Sequence, residues 1–306
     1  MQKRILLTGS NGLLGQKIIH ILQDRVNTSL LATSRGVNRH PVREGYQYKE
    51  LDICDHARVA KAFEEFKPTH VIHTAAVTQV DLCETEHEMC DNINVDAVDN
   101  LAKLCKELGA RLIHISTDFV FDGSSGPYKE SDSPAPLSYY GNSKLRAEQV
   151  VEASGCDHAI LRTQLLYGIT PAMSRSNIVL WVKDSLEKGK NIKVVSDQFR
   201  CPTLVEDLAV ASVAAVMKEA SGIYHISGAE MMSIIDIAYK VADFWKLDKS
   251  LIAETDSLSL NQAAKRPPVT GFIITKAQLD LDYKPHSLAQ GLAHVDRQMK
   301  EMAGSI

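Results

Sequence analysis

The stretch Thr8-Gly9-Ser10-Asn11-Gly12-Leu13-Leu14-Gly15 (TGSNGLLG) decides the fold of this 306-residue chain. It follows the apolar run Ile5-Leu6-Leu7, which reads as a first strand. It leads into Leu14, Ile18, Ile19 and Leu22, the apolar stripe of an amphipathic helix. A strand that turns sharply into a helix while its backbone nears a pyrophosphate needs glycines, because a Cβ would block the approach or force a costly φ. The unpaired N–H groups and the positive end of the helix dipole then face the phosphate charge. A plain glycine-rich turn accounts poorly for glycines at 9, 12 and 15 in this context. The reading is a nucleotide site formed by Gly9, Asn11, Gly12, Leu13, Leu14 and Gly15. The motif alone names no reaction.

Strand and helix signals alternate through the first half. Strands are predicted at 29–33, 69–74, 111–116 and 158–162, and helices at 57–66, 89–108 and 138–153, with Gly109 capping the second helix. This rhythm predicts an α/β fold, a doubly wound parallel sheet of Rossmann type, with a smaller C-terminal substrate-binding lobe. Residues 1–168 should form the nucleotide domain. The helix opening at 205–209 and the strand at 222–227 should return to it, so 204–228 rejoins. Residues 169–203 and 229–306 should form the lobe, including a helix at 177–188 and a loop at 197–203.

Composition narrows the function classes. Hydrophobic content of 44% and charged content of 24% are ordinary globular values. A net charge of −4 leaves no electrostatic footprint for nucleic acid. The longest apolar run, 208–217, reads as a buried helix, so no membrane partner is expected. The first strand starts almost at Met1, which leaves no room for a signal peptide. The six cysteines show neither C-x-x-C nor zinc spacing and read as reduced thiols of a cytoplasmic protein. No metal site is expected, and a homo-oligomer is compatible with the sequence.

The chemistry centres on Tyr140 and Lys144 in SYYGNSKLRAE. Four residues apart on a predicted helix, they share one face, whereas Tyr139 points elsewhere. A tyrosine, of pKa about 10, is a poor acid–base group at neutral pH. A nearby ammonium should lower that pKa and let the phenol protonate an alkoxide as hydride reaches a carbonyl carbon. A surface Tyr/Lys pair has the same spacing, so the pair needs support. ISTDFVFDG, at 115–123, supplies hydroxyls at the carboxyl end of a strand, where ligands sit in open parallel sheets. Alternation aims one of them at the tyrosine. Thr117 is the favoured one, and Ser116 can cap local backbone.

Together, the glycine motif, S-T-D-F-V-F-D-G, Y-x-x-x-K and R-T-x-x-x-Y-G (162–168) resemble an extended short-chain dehydrogenase/reductase, and most of all the dTDP-4-dehydrorhamnose reductases. HTAAVTQVDLCE (73–84), DQFRCPT (197–203) and RPPVTGFIITKAQL (266–279) extend the resemblance. It implies a catalytic triad of Thr117, Tyr140 and Lys144. It implies that Ala75 and Ala76 pass the nicotinamide side, and that Thr78 and Val80 approach cofactor or sugar. Asp118, Gln198, Pro202, Thr203 and Arg266 would lie around a nucleotide-sugar substrate. A Pro-stiffened loop and a lobe ion pair are the plainer readings of 198–203 and Arg266.

Cofactor choice is read from the second strand. An acidic residue about twenty positions after the last glycine would bind the ribose 2′-hydroxyl of NAD. Arg35 stands there with Ser34 beside it, which suits the 2′-phosphate of NADP, with NAD as the lesser alternative. Asp52, with Ile53, suits the adenine edge, although Asp52 equally suits a helix cap. The chain departs from the reductase pattern at Leu165, where Trp is usual, and at Arg200, where Gly is usual. Both departures resemble the regulatory β subunit of methionine adenosyltransferase, whose partner would then be that transferase. A dehydratase or epimerase with Asp118 as an acid–base group is a third reading.

Overall fold

The computed structural model describes residues 2–173 and 175–304. The chain opens with β1 (Lys3–Thr8), the glycine turn and α1 (Leu13–Leu22). Next come β2 (Thr28–Ser34), β3 (Gln47–Glu50), α2 (His56–Phe66) and β4 (His70–His73). After a single turn, α3 (Val80–Cys83), a long helix follows in two α-helical parts, α4 (His87–Asp91) and α5 (Ala97–Leu108). A π-helical turn, Asn92–Asp96, joins them without a break. Then come β5 (Arg111–Thr117), α6 (Tyr139–Ser154), β6 (His158–Thr163), β7 (Leu166–Tyr167) and α7 (Ile178–Glu187). The strands β8 (Ile192–Val195), β9 (Phe199–Arg200) and β10 (Thr203–Leu204) lead to α8 (Val205–Met217) and β11 (Gly222–Ile226). The chain ends with β12 (Met232–Ser233), α9 (Ile234–Trp245), β13 (Ile252–Thr255), α10 (Thr275–Leu281) and α11 (Leu288–Gly304).

Seven strands form one sheet in the order β11-β6-β5-β4-β1-β2-β3, with every pairing parallel. This is the doubly wound architecture that the alternating signals predict. The strand order reverses between β1 and β4, so a crevice opens there at the carboxyl edge. Alternation along β1 sends Ile5 and Leu7 to one face and Leu6 to the other. The first face packs on α1 and α8, and the second on α2, α5 and α6. A separate apolar cluster unites α7, α9, α11, β8 and β13. Among the described residues, no helix is long and apolar enough to cross a membrane.

Four features differ from the sequence expectation. β3 is an edge strand whose QYKE side chains are exposed or half-buried, so it lacks an apolar signature. The helix predicted over 89–108 carries the π turn, since one extra residue barely disturbs an apolar periodicity. Within 229–306, Phe272, Ile274, Ala277, Leu281 and Tyr283 pack into the core of the large sheet rather than with the separate cluster. The 197–203 segment, expected as a loop, holds β9 and the first residue of β10.

The helix α6 is fastened to the sheet by a buried ion pair. Arg162 on β6 donates from Nε to Glu148 Oε1 at 2.9 Å and from Nη2 to Oε2 at 2.6 Å. Ser116 on β5 donates to the same Oε1 at 2.5 Å. Both charged side chains are only 2% exposed. Arg162→Met should therefore destabilise the protein by about 3–5 kcal/mol, because it leaves a buried carboxylate without its counter-charge. Urea unfolding of the single variants and of Arg162→Met/Glu148→Leu would show the double variant losing less than the sum of the two.

Candidate active site

Two hollows lie side by side at the carboxyl edge of the sheet. The smaller, about 370 Å³, is lined by Gly9, Asn11, Gly12, Ser34, Arg35, Arg39, Asp52, Ile53, Ala75 and Ala76 among others. Two of its glycines are required for different reasons. Gly9 has φ +71°, and a Cβ there would lie 2.7 Å from the Ala75 nitrogen. A Cβ on Gly15 would lie 2.4 Å from the Gly9 carbonyl oxygen, so the helix packs on the turn only with hydrogen at that point. Asn11 spans the turn. Its Nδ2 donates to the Val37 oxygen at 2.9 Å and the Arg35 oxygen at 3.1 Å, and its Oδ1 accepts from the Arg39 nitrogen at 2.8 Å. It thus fixes the loop that presents Arg35 and Arg39, both exposed. Arg39 was invisible to a reading keyed to one position after the last glycine. Asp52 does not cap α2: its Oδ1 accepts from the Cys54 nitrogen at 3.0 Å, and Asp55 is the cap, accepting from the Arg58 nitrogen at 3.0 Å.

The larger cleft, about 600 Å³, brings together Gly12, Leu13, Leu14 and Gly15 with Thr78, Val80, Thr117, Asp118, Tyr140 and Lys144. Ser138 caps α6 by accepting from the Gly141 nitrogen at 3.1 Å, which starts the helix one residue before Tyr140. Tyr140 is buried and hydrogen-bonds with Thr117. Tyr139 leaves the cleft and stacks on His87, with ring centroids 3.8 Å apart. The two neighbouring strand hydroxyls divide as alternation predicts, with Ser116 held by Glu148 and Thr117 beside the phenol.

Burial governs the charges. It pushes the Tyr140 phenol well above its ordinary range, partly opposed by the Thr117 hydrogen bond. The expected lowering by Lys144 is not what the structure holds. Lys144 Nζ instead donates to the Ile115 oxygen at 2.8 Å and lies 3.1 Å from His114 Nε2. Its own pKa is drawn down to about 8 by burial. His114 stacks on His73, and burial keeps both rings well below the ordinary histidine value, hence neutral.

Asp118 lines the cleft, but its oxygens are occupied. Oδ2 accepts from Thr270 Oγ1 at 2.5 Å and faces Arg200 Nε at 3.2 Å, while Oδ1 accepts from Thr117 Oγ1 at 3.2 Å. Burial raises its pKa and the guanidinium opposes the rise. Arg200 also donates to the Phe199, Pro267 and Pro268 carbonyls. An Asp118 held this way is a structural anion rather than a free acid–base group, which disfavours the dehydratase reading.

Gln198, Pro202, Thr203 and Arg266 do not line the cleft. Gln198 Nε2 donates to Ser257 Oγ at 2.8 Å, and Thr203 Oγ1 to the Gln164 oxygen at 2.7 Å. Pro202 is buried. Arg266 forms a bidentate pair with Asp81, at 3.1 and 2.6 Å. In their place the cleft is walled by Leu165, a departure from the reductase pattern at a position the resemblance sets near the sugar, and by Gln164, Arg175 and Asn177, which the sequence reading did not assign to it. Leu165 has φ +39°, a left-handed conformation costly for a side chain with a Cβ. R-T-x-x-x-Y-G was recognised, but its unspecified positions include Gln164 and Leu165, and Arg175 and Asn177 lie beyond it.

The family model described as RmlD substrate binding domain matches residues 3–301. The chain belongs to that family. The resemblance to extended short-chain dehydrogenase/reductases is therefore borne out. A crystal structure of dTDP-4-dehydrorhamnose reductase from Bacillus anthracis, in complex with NADP, superposes with a TM-score of 0.84 at 28% identity, covering 97% of this chain and all 100% of that one. Methionine adenosyltransferase 2 subunit beta of Xenopus laevis is 34% identical over 253 residues, 81% of this chain and 74% of that protein. A probable low-salt glycan biosynthesis reductase of Haloferax volcanii is 29% identical over 95% of this chain and 96% of its own length.

Lys144 has a measurable signature. Its folded pKa, about 8, lies below the unfolded value of 10.5, so between these limits the unfolded chain binds more protons. The stability of the wild type relative to Lys144→Met should rise as pH increases from about 8 to about 10.5, by at most about 3 kcal/mol. Denaturant unfolding of the two proteins across that range checks it, and a flat difference contradicts it.

Proposed function

We propose that this protein uses NADPH to reduce the 4-keto group of a nucleotide sugar, dTDP-4-dehydro-L-rhamnose or a close relative. The observation that carries this reading is one cleft wall formed by Thr117, Tyr140 and Lys144, opposite the glycine turn at Gly12–Gly15. The site residues fit a nicotinamide dinucleotide. The turn excludes side chains where a pyrophosphate would approach, and the N-terminus of α1 supplies unpaired N–H groups. Ser34, Arg35 and Arg39 suit a 2′-phosphate, Asp52 and Ile53 the adenine side, and Ala75, Ala76 and Thr78 the path toward the nicotinamide. When bound, the cofactor supplies hydride for the carbonyl carbon.

The phenol of Tyr140 gives its proton to the carbonyl oxygen as that oxygen gains charge. Thr117 holds the phenol in place, and Lys144, on the same face of α6, would turn its ammonium from Ile115 and His114 toward the phenolate left behind. A protein of this kind works in the cytoplasm. A second reading rests on the 34% identity to methionine adenosyltransferase 2 subunit beta: a regulatory partner of that transferase, without turnover.

Supplied with dTDP-4-dehydrorhamnose made in situ, and with a panel of other 4-keto nucleotide sugars, the protein should oxidise NADPH in a sugar-dependent way. Tyr140→Phe should lose at least about a hundredfold in kcat, while Tyr139→Phe stays within about twofold. No oxidation with any sugar, together with co-purification of a methionine adenosyltransferase, would sink the enzyme reading in favour of the second.

Cofactor preference is separately testable. Arg35→Ala should raise the Kd for NADPH by about tenfold or more, the worth of a charge-assisted contact, and leave NADH nearly unchanged. Fluorescence titration decides it, and tighter or equal binding of NADH by the wild type refutes the preference.

A further inference from the structure

Three charged residues line the larger cleft: Asp118, Lys144 and Arg175. The protein itself satisfies two of them. Asp118 is paired with Arg200, and Lys144 is buried against His114 and the Ile115 carbonyl. Arg175 differs. It is exposed, it forms no ion pair among the described residues, and its Nη1 donates to a neutral oxygen, Thr78 Oγ1, at 2.8 Å. Arg266, the arginine expected at the substrate, is neutralised by Asp81. A planar guanidinium at a cleft wall, bound only to a hydroxyl, is suited to exchange that bond for a doubly charged diphosphate.

A second observation comes from Gln164, which also lines the cleft and is 2% exposed. Its Oε1 accepts from the Cys201 nitrogen at 3.0 Å, and that bond fixes the amide. Its Nε2 is buried without a protein partner. The adjacent Thr163 Oγ1 is likewise unpartnered. The β5–β6 register sets Thr163 opposite Thr117, so these donors stand beside the proposed reacting end of the cleft. A buried amide donor is costly to leave unpaired, and an oxygen-rich ligand would relieve that cost.

Resting on the nucleotide-sugar reading above, we propose that Arg175 grips the substrate diphosphate and that Gln164 donates to an oxygen of the sugar. The substrate then lies with its sugar inward and its diphosphate at Arg175. Arg175 and Gln164, rather than Arg266 and Gln198, are the specificity contacts.

Calorimetric titration with dTDP and with dTDP-L-rhamnose, at saturating NADPH, tests this in the full-length wild type, Arg175→Met and Gln164→Met. Arg175→Met should weaken both ligands by about tenfold or more while leaving NADPH within about twofold. Gln164→Met should weaken dTDP-L-rhamnose by about tenfold and leave dTDP unchanged. Gln164→Glu keeps the acceptor for Cys201 and replaces the Met variant if that one unfolds. Unchanged dTDP affinity in Arg175→Met overturns the proposal while the function stands. Equal loss of NADPH affinity also overturns it, because the guanidinium would then serve the cofactor pyrophosphate. A wild type that binds no nucleoside diphosphate, with UDP and GDP also tried, removes the function and this inference together.

Discussion

The site depends on the ion pair between Arg162 and Glu148. It joins β6 to α6 and, through Ser116, joins both to β5. Tyr140 and Lys144 ride on that helix, and Thr117 is the last residue of that strand. Their mutual placement is therefore set from behind, by Arg162 and Glu148, which do not line the cleft. Hydrophobic packing alone would let a helix slide or roll on a sheet. A bidentate guanidinium–carboxylate contact has one good geometry, and its desolvation cost makes every other arrangement poor. Asp118 and Arg200 repeat the device on the other side of the cleft, linking the end of β5 to β9 and to the 267–270 segment.

A dry interior also explains the protonation states. Burial keeps the Tyr140 phenol protonated, holds His73 and His114 neutral, and lowers Lys144 toward neutrality without reaching it. An acid for a reduction must hold its proton until the carbonyl oxygen demands it, and a desolvated phenol does so. The charge of Glu148 opposes the effect of burial on Lys144, whose ammonium donates to the Ile115 carbonyl and lies against His114, partners that accept without carrying charge. The amine therefore retains its charge, as the proposed proton transfer from Tyr140 would require.

Much of this was legible in the sequence. Glycine spacing and the alternation of short apolar runs with longer amphipathic ones specify the parallel sheet, because both follow from local backbone demands. Tyr140 and Lys144 were legible because a four-residue spacing has one meaning on a helix. β3 was not, since an exposed edge strand needs no apolar residues. The substrate wall was harder still. Arg266 and Arg175 are alike in sequence, and only the folded chain shows that Asp81 takes the first and leaves the second facing the cleft. Gln164 gave no signal, because what distinguishes it is a donor without a partner, which is a property of three-dimensional surroundings.

The π turn at Asn92–Asp96 has a consequence for how this chain tolerates change in length. The turn brings Asn94 against the segment that leaves β4, where its side-chain amide accepts from the Val77 nitrogen at 2.9 Å and donates to the Val77 oxygen at 3.0 Å. Asn94 thereby serves as the neighbouring strand that Val77 lacks. A single-codon deletion within the turn would let the helix wind regularly while Val98, Leu101 and Cys105 keep facing the core, because a π turn absorbs one extra residue locally. What the deletion would cost is the wide turn itself, and with it the placement of Asn94 against Val77. The extra residue of this turn therefore serves the segment at Val77 rather than the helix's own apolar face, and of the turn's side chains Ile93 lines the smaller hollow while none lines the larger cleft.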